Sequence, residues 1–350
     1  MKWFWNDAER RMRAPWRLLL HSLMLLMFVS VLTIVLALPA AILDGPDHDL
    51  VLTGDEAVVP VGILLAGTLG ALAGSLLATW LAARHLDRRS FLDLGLRLTG
   101  GWWGDFGFGL LVGLLLVGAS FALKLGLGWV EFTGLGIAQV GAARFFGELL
   151  AIAVACVAVG IYEELVIRGY QMTNLSEAFN IPSLGATGAI LVALVVTSLF
   201  FALLHSLNPG PSLPLGLVNI ALISTLVLGL SYALTGRLAI AIGLHTSWNF
   251  ALSFVFGLPV SGVVLGSTSL LVTEDVGPEL WTGGAFGLEG GLLGTIAIAA
   301  GLVALLVWVR LRSGRISLHI DLARPPDTHS GTEEAPSPER EQTETEDERQ

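Results

Sequence analysis

The sequence predicts an all-α, polytopic integral membrane protein, with about eight transmembrane helices enclosing a polar intramembrane cavity. Three observations predict it. Hydrophobic residues make up 54% of the 350-residue chain and charged residues only 14%, against roughly 25% charged in soluble proteins, and the mean hydropathy is +0.74. Apolar runs long enough to cross a hydrocarbon core of ~30 Å recur along the chain. Inside those runs stand a few ionisable groups, each costing about 3 kcal/mol or more in lipid, which therefore need a compensating role.

The first run, 17–43, follows Arg10, Arg11, Arg13 and Arg17. It exceeds the ~7–15 apolar residues of a signal peptide and reads as an uncleaved first helix. Further runs cover 58–83, 105–127, 143–165, 185–207, 214–235, 238–257 and 290–310. Gly70 and Gly74 are four apart, as are Gly109 and Gly113, a spacing of small residues that lets helices approach closely in lipid. Trp102 and Trp103, at the head of the third run, read as interfacial anchors. Cys156 is the single cysteine; it permits no intramolecular disulfide and reads as a small core residue. From about residue 322, Pro325, Pro326, Pro336 and Pro338 break any helix. Eight acidic side chains then follow between Glu333 and Glu348, the composition of a disordered, solvated tail.

The organisation is therefore a basic N-terminus (1–16), N-terminal transmembrane helices (17–142), a segment carrying the candidate chemistry (143–257), an outer loop with the last helix (258–321) and the acidic tail (322–350). Lys2 and the N-terminal arginines, then Arg84, Arg88, Arg89 and Arg97, then Arg237, then Arg310, Arg312 and Arg315 fall on one side of the membrane. Asp44, Asp47, Asp49, Asp55, Glu56, Glu274, Asp275 and Glu279 fall on the other. Arginine-rich loops stay inside, so a multi-pass cell-membrane protein with both termini cytoplasmic is expected. The net charge of −10 comes largely from the tail. No basic, aromatic-interleaved surface exists, which excludes nucleic acid as a partner; the lipid bilayer is the expected one.

Three spots can do chemistry. The fourth run ends in Glu163 and Glu164, with Arg168 one turn after Glu164 and able to pair with it. The fifth ends in Phe201-x-x-x-His205, the seventh contains His245-x-x-x-Asn249, and each pair shares a helix face. Judged alone, each has a bland reading: an interfacial ion cluster, a packed histidine, a buried polar pair. Together they place two carboxylates, two imidazoles and an amide on three helices, the usual set for activating a water. His21, His48, His85, His319 and His329 do not join them. For straight, upright helices the depths of Glu164, His205 and His245 do not match at about 1.5 Å per residue, so tilted or broken helices are expected.

The ordered set Glu163-Glu164-x-x-x-Arg168, Phe201-x-x-x-His205 and His245-x-x-x-Asn249 resembles the CPBP family of intramembrane proteases, which includes the type II CAAX-prenyl endopeptidases and bacteriocin-processing or immunity proteins. The resemblance covers 143–257, read as the catalytic core. It implies peptide-bond hydrolysis on a membrane-bound or lipidated peptide or protein substrate, prenylated CAAX-type chains included. Glu163 would be the general base, His205 would orient the water, His245 and Asn249 would donate to the oxyanion, and Glu164 with Arg168 would hold the others in place. Zinc is the alternative activator, with Glu163, His205 and His245 as its ligands. The metal-free version is preferred because Asn is a poor zinc ligand and a good oxyanion donor. Two other function classes compete: a proton-coupled transporter, against which stands the lack of an inverted repeat, and a non-catalytic membrane scaffold or immunity factor.

Overall fold

A computed structural model describes residues 3–7, 9–44, 51–53, 56–208 and 214–326. Its main helices are α1 (Ala14–Asp44), α2 (Val61–Leu81), α3 (Gly100–Gly126), α4 (Ala142–Phe179), α5 (Gly185–His205), α6 (Pro214–Thr235), α7 (Ala239–Val255) and α8 (Leu292–Ser313). Seven of them are long and apolar enough to cross a membrane, and the chain is a polytopic membrane protein. The seventh apolar run differs from the expected span: α7 has 17 residues at most, about 26 Å of rise. The reason is its position. Every residue from Ala239 to Asn249 is buried, so α7 lies inside the bundle rather than against lipid.

Close approach sets the packing. α2 lies on α1 through Gly70 and Gly74: a Cβ on Gly70 would stand 2.6 Å from Thr33 Cα, and one on Gly74 2.6 Å from Val29 N. α3 lies on α7 in the same way, and a Cβ on Gly113 would stand 2.2 Å from Ser247 Oγ and 2.7 Å from Leu244 O. Gly113→Val is therefore expected to cost about 1–3 kcal/mol by overpacking, seen as a lower thermal midpoint in detergent, whereas Gly107→Ala, with open space around it, should not shift it.

α4 is much longer than the 143–165 run suggests. It continues through a widened π turn, Leu165–Met172, to Phe179. Its extension is held by buried charge at the arginine-rich end. Glu177 binds Arg11 at 2.7 Å, Arg17 at 3.2 Å and Arg89; Asp87 binds Arg17 at 3.0 Å and Asn174 at 3.1 Å. Burial pulls the Arg89 pKa down, but the neighbouring Glu177 and Asp87 outweigh it and raise it. Three further widened turns occur among the described residues, at Ala82–Asp87 directly after α2, at Ser224–Gly229 in α6 and at Ala251–Val255 in α7. Such turns insert an extra residue and rotate the faces on either side of them.

The loops carry short strands that the all-α pattern did not predict. Val130–Leu135 pairs antiparallel with Leu271–Asp275, and Glu56–Val59 pairs parallel with Val263–Leu265. The segment between α7 and α8 is thereby stitched to two other loops at the end of the bundle opposite the arginines.

Several single-residue expectations change. Trp103 is exposed as an anchor would be, but Trp102 is buried, stacks on Phe106 and donates its Nε1–H to Gly95 O at 3.0 Å. The chain past 322 is not all tail: Leu322 and Ala323 are buried, and Asn180 donates to Ala323 O at 2.9 Å. The remainder of the acidic tail, 327–350, lies outside the described residues, as do His48, His329 and the Asp47, Asp49 and Asp55 of the first acidic loop. His21 is buried on α1, 3.1 Å from Thr79 Oγ1 and packed at a tilt against the Tyr170 ring. His319 packs beside Gly236 (φ +65°), and its ring takes the space that a side chain there would need, 2.5 Å from the position of a Cβ.

Candidate active site

The two adjacent glutamates point to different places, as a 100° step on a helix dictates. Glu164 is fully buried. Its Oε1 accepts from Arg168 at 2.8 Å and from His245 Nδ1 at 2.8 Å. Arg168 is itself buried, donates to Ser224 Oγ at 2.5 Å and lies over the Phe201 ring at 4.6 Å. Arg168 thus ties α4 to α6 and α5, while Glu164 ties α4 to α7. Glu163 turns instead toward a cavity of about 230 Å³ that it lines together with His205, His245 and Asn249. Glu163 Oε2 stands 3.6 Å from His245 Nε2. That oxygen is buried and makes no hydrogen bond among the described residues.

The depth mismatch expected for straight helices disappears. The widened turn begins directly after Glu164, α7 starts deep in the bundle, and the two motifs meet at hydrogen-bond distance. His205 is the last residue of α5 and its Nδ1 lies 2.8 Å from Phe201 O. A carbonyl can only accept, so Nδ1 carries a proton, and in the neutral ring Nε2 is left as an acceptor. Asn249 follows His245 by one turn and is also buried. All six sequence-predicted residues therefore belong to one locus. Four of them line the cavity, and Glu164 and Arg168 stand behind its wall.

With both glutamates ionised, Arg168 and a doubly protonated His245 would bring the cluster to neutrality, the condition for burying so many charged groups. In that state both nitrogens of His245 donate, one to Glu164 and the other toward the cavity. Among the described residues no three His, Cys, Asp or Glu side chains come together at ligand spacing.

Residues 145–251 match the family model described as type II CAAX prenyl endopeptidase, Rce1-like. This segment is similar to the Rce1-like family. The match begins just inside α4 and ends two residues past Asn249, so it contains every motif residue named above. No curated protein and no solved structure matches the chain.

Within and beyond the matched segment the sequence alone missed several groups. Ser224 holds Arg168, and nothing distinguishes it from other small polar residues in an apolar helix. Glu289, outside the matched segment, lines the same cavity; its signal was a lone carboxylate among glycines at the head of an apolar run. A second, apolar groove of about 480 Å³ runs between α1 and α5 and reaches the same Glu163 and His205 from the bundle's flank.

Proposed function

We propose that the chain is an intramembrane endopeptidase that uses Glu163 to activate a water against a peptide bond of a membrane-associated, lipidated substrate. The observation that carries this reading is the opposed pair: Glu164 occupies Nδ1 of His245 at 2.8 Å, while Nε2 faces the open oxygen of Glu163 at 3.6 Å. One glutamate is committed to positioning and the other is free to take a proton.

In the proposed reaction Glu163 takes a proton from a water as its oxygen attacks the carbonyl carbon. The oxyanion of the tetrahedral intermediate receives hydrogen bonds from His245 Nε2–H and the Asn249 amide; a single such donor is typically worth about 3–4 kcal/mol. His205 Nε2 accepts from the water and orients it. Collapse breaks the C–N bond, and the proton held by Glu163 passes to the leaving amine. The match to a prenyl endopeptidase family and the apolar groove between α1 and α5 support a lipidated substrate whose chain lies among the helices. The placement of arginines supports a multi-pass orientation with both described ends on the cytoplasmic side.

The test is cleavage of quenched peptides, prenylated and not, by detergent-purified protein. Prenylated peptides are expected to be cut with the higher kcat/KM, and a zinc chelator is expected to leave the rate within about twofold. Loss of activity on chelation, restored by added zinc, would overturn the metal-free mechanism. Equal rates on both peptide classes would overturn the lipidated-substrate claim.

A further inference from the structure

The wall of the cavity facing the Glu163 side is built from the loop between α7 and α8, and one buried carboxylate organises it. Glu289 Oε1 accepts from Trp248 Nε1 at 2.9 Å. Its Oε2 accepts from both Ser261 N and Ser261 Oγ at 2.7 Å. Three donors on one carboxylate are what keep a buried charge tolerable, and bonds to a charged acceptor are about twice as strong as neutral ones.

The partners are informative. Trp248 immediately precedes Asn249 and follows His245 by three residues on α7. Ser261 is a non-glycine residue at φ +48°, a backbone state that surrounding structure must hold. Ser261 O in turn accepts from Asn208 Nδ2 at 2.9 Å, and Asn208 follows His205 by three residues. Ser261 is therefore the point where the chain leaving His205 and the helix carrying His245 and Asn249 are joined, and Glu289 is the group that fixes it. Trp248, Ser261, Asn208 and Glu289 all line the cavity. The Glu289 backbone is itself anchored: Asn219 donates to Glu289 O at 2.9 Å and to Gly291 O at 3.0 Å.

We infer that Glu289 is a positioning residue of the site, holding the Ser261 turn and Trp248 so that the Asn249 amide and His205 face one another across the cavity. This rests on the endopeptidase reading for its kinetic consequence, though not for its structural one. Both oxygens of Glu289 are already committed to donors, which distinguishes it from Glu163 and gives it no part in moving protons. Glutamine at this position keeps the shape but brings an amide N–H against a donor from Ser261 or Trp248, so at least one of the three bonds is lost.

The experiment has two arms on the detergent-purified full chain. In the first, Glu289→Gln and Ser261→Ala are assayed on a peptide that the wild type cuts and Glu163→Gln does not. Glu289→Gln is expected to lower kcat roughly 10- to 50-fold with KM within about threefold, and Ser261→Ala, which keeps the backbone bond, to lower it less. An unchanged kcat would overturn the inference, as would an equal loss in a variant whose helical circular dichroism or thermal midpoint had collapsed. In the second arm, Cys156→Ala removes the single cysteine and Val263→Cys reports the wall through its maleimide labelling rate. Adding Glu289→Gln is expected to raise that rate about tenfold; an unchanged rate overturns the inference even if the wild type proves inert on every peptide, in which case it is the endopeptidase reading that has failed.

Discussion

Glu163→Gln is expected to reduce peptide cleavage by about 10²- to 10⁴-fold, the usual contribution of a positioned general base. The change is nearly isosteric and removes a buried carboxylate oxygen that makes no hydrogen bond among the described residues; Glu164 Oε2 is likewise unpaired, but of the two glutamates only Glu163 lines the cavity. Folding should survive, because among the described residues Glu163 makes no ion pair closer than the 3.6 Å approach to His245. The thermal midpoint is expected within a few degrees of wild type, and KM should move little, since the lost interaction belongs to the transition state. Glu164→Gln makes the informative contrast. It also loses cleavage, by releasing the His245 ring, but it loses stability with it. Cleavage at more than a tenth of the wild-type rate in Glu163→Gln would sink the assignment of the base.

Arg168→Leu carries the largest expected effect on stability. Arg168 and Glu164 are both buried, 2.8 Å apart, and Arg168 also reaches Ser224 and Phe201. Removing one member of a buried pair leaves an uncompensated charge, at a typical cost of about 3–5 kcal/mol. That corresponds to a fall in thermal midpoint of roughly 10 °C for a protein of this general size. The double variant Glu164→Gln/Arg168→Leu should recover part of the loss, because no charge is then stranded. A single variant as stable as wild type, or a double variant showing strict additivity, would refute the coupling. Arg168→Lys is expected to keep the charge but not the two-armed contact to Glu164 and Ser224, and so to fall between the two.

These expectations could be set up from the sequence because charges in an apolar chain are conspicuous. Glu163, Glu164, Arg168, His205, His245 and Asn249 stand out against runs of leucine, valine and alanine, and helical spacing alone puts His245 with Asn249 on one face. Glu289 and Ser224 did not stand out. Ser224 is one polar residue among many on apolar helices, and Glu289 is distant in sequence from everything it touches.

The sequence by itself determined the membrane-spanning class, the existence of the apolar helices and the identity of the chemical groups. Each of these depends on local composition and on a period of 3.6 residues, which a single segment carries within itself. The glycine spacing at 70/74 and 109/113 marked close helix contacts for the same reason. Only the tertiary structure decided which helices those glycines meet, that α7 is a short interior helix, and that Glu164 rather than Glu163 holds His245. These depend on where widened turns rotate one helix face against another and on contacts between residues 81 positions apart in the case of Glu164 and His245. No periodicity encodes such a distance; it is fixed when buried charges find the only partners that make their burial tolerable.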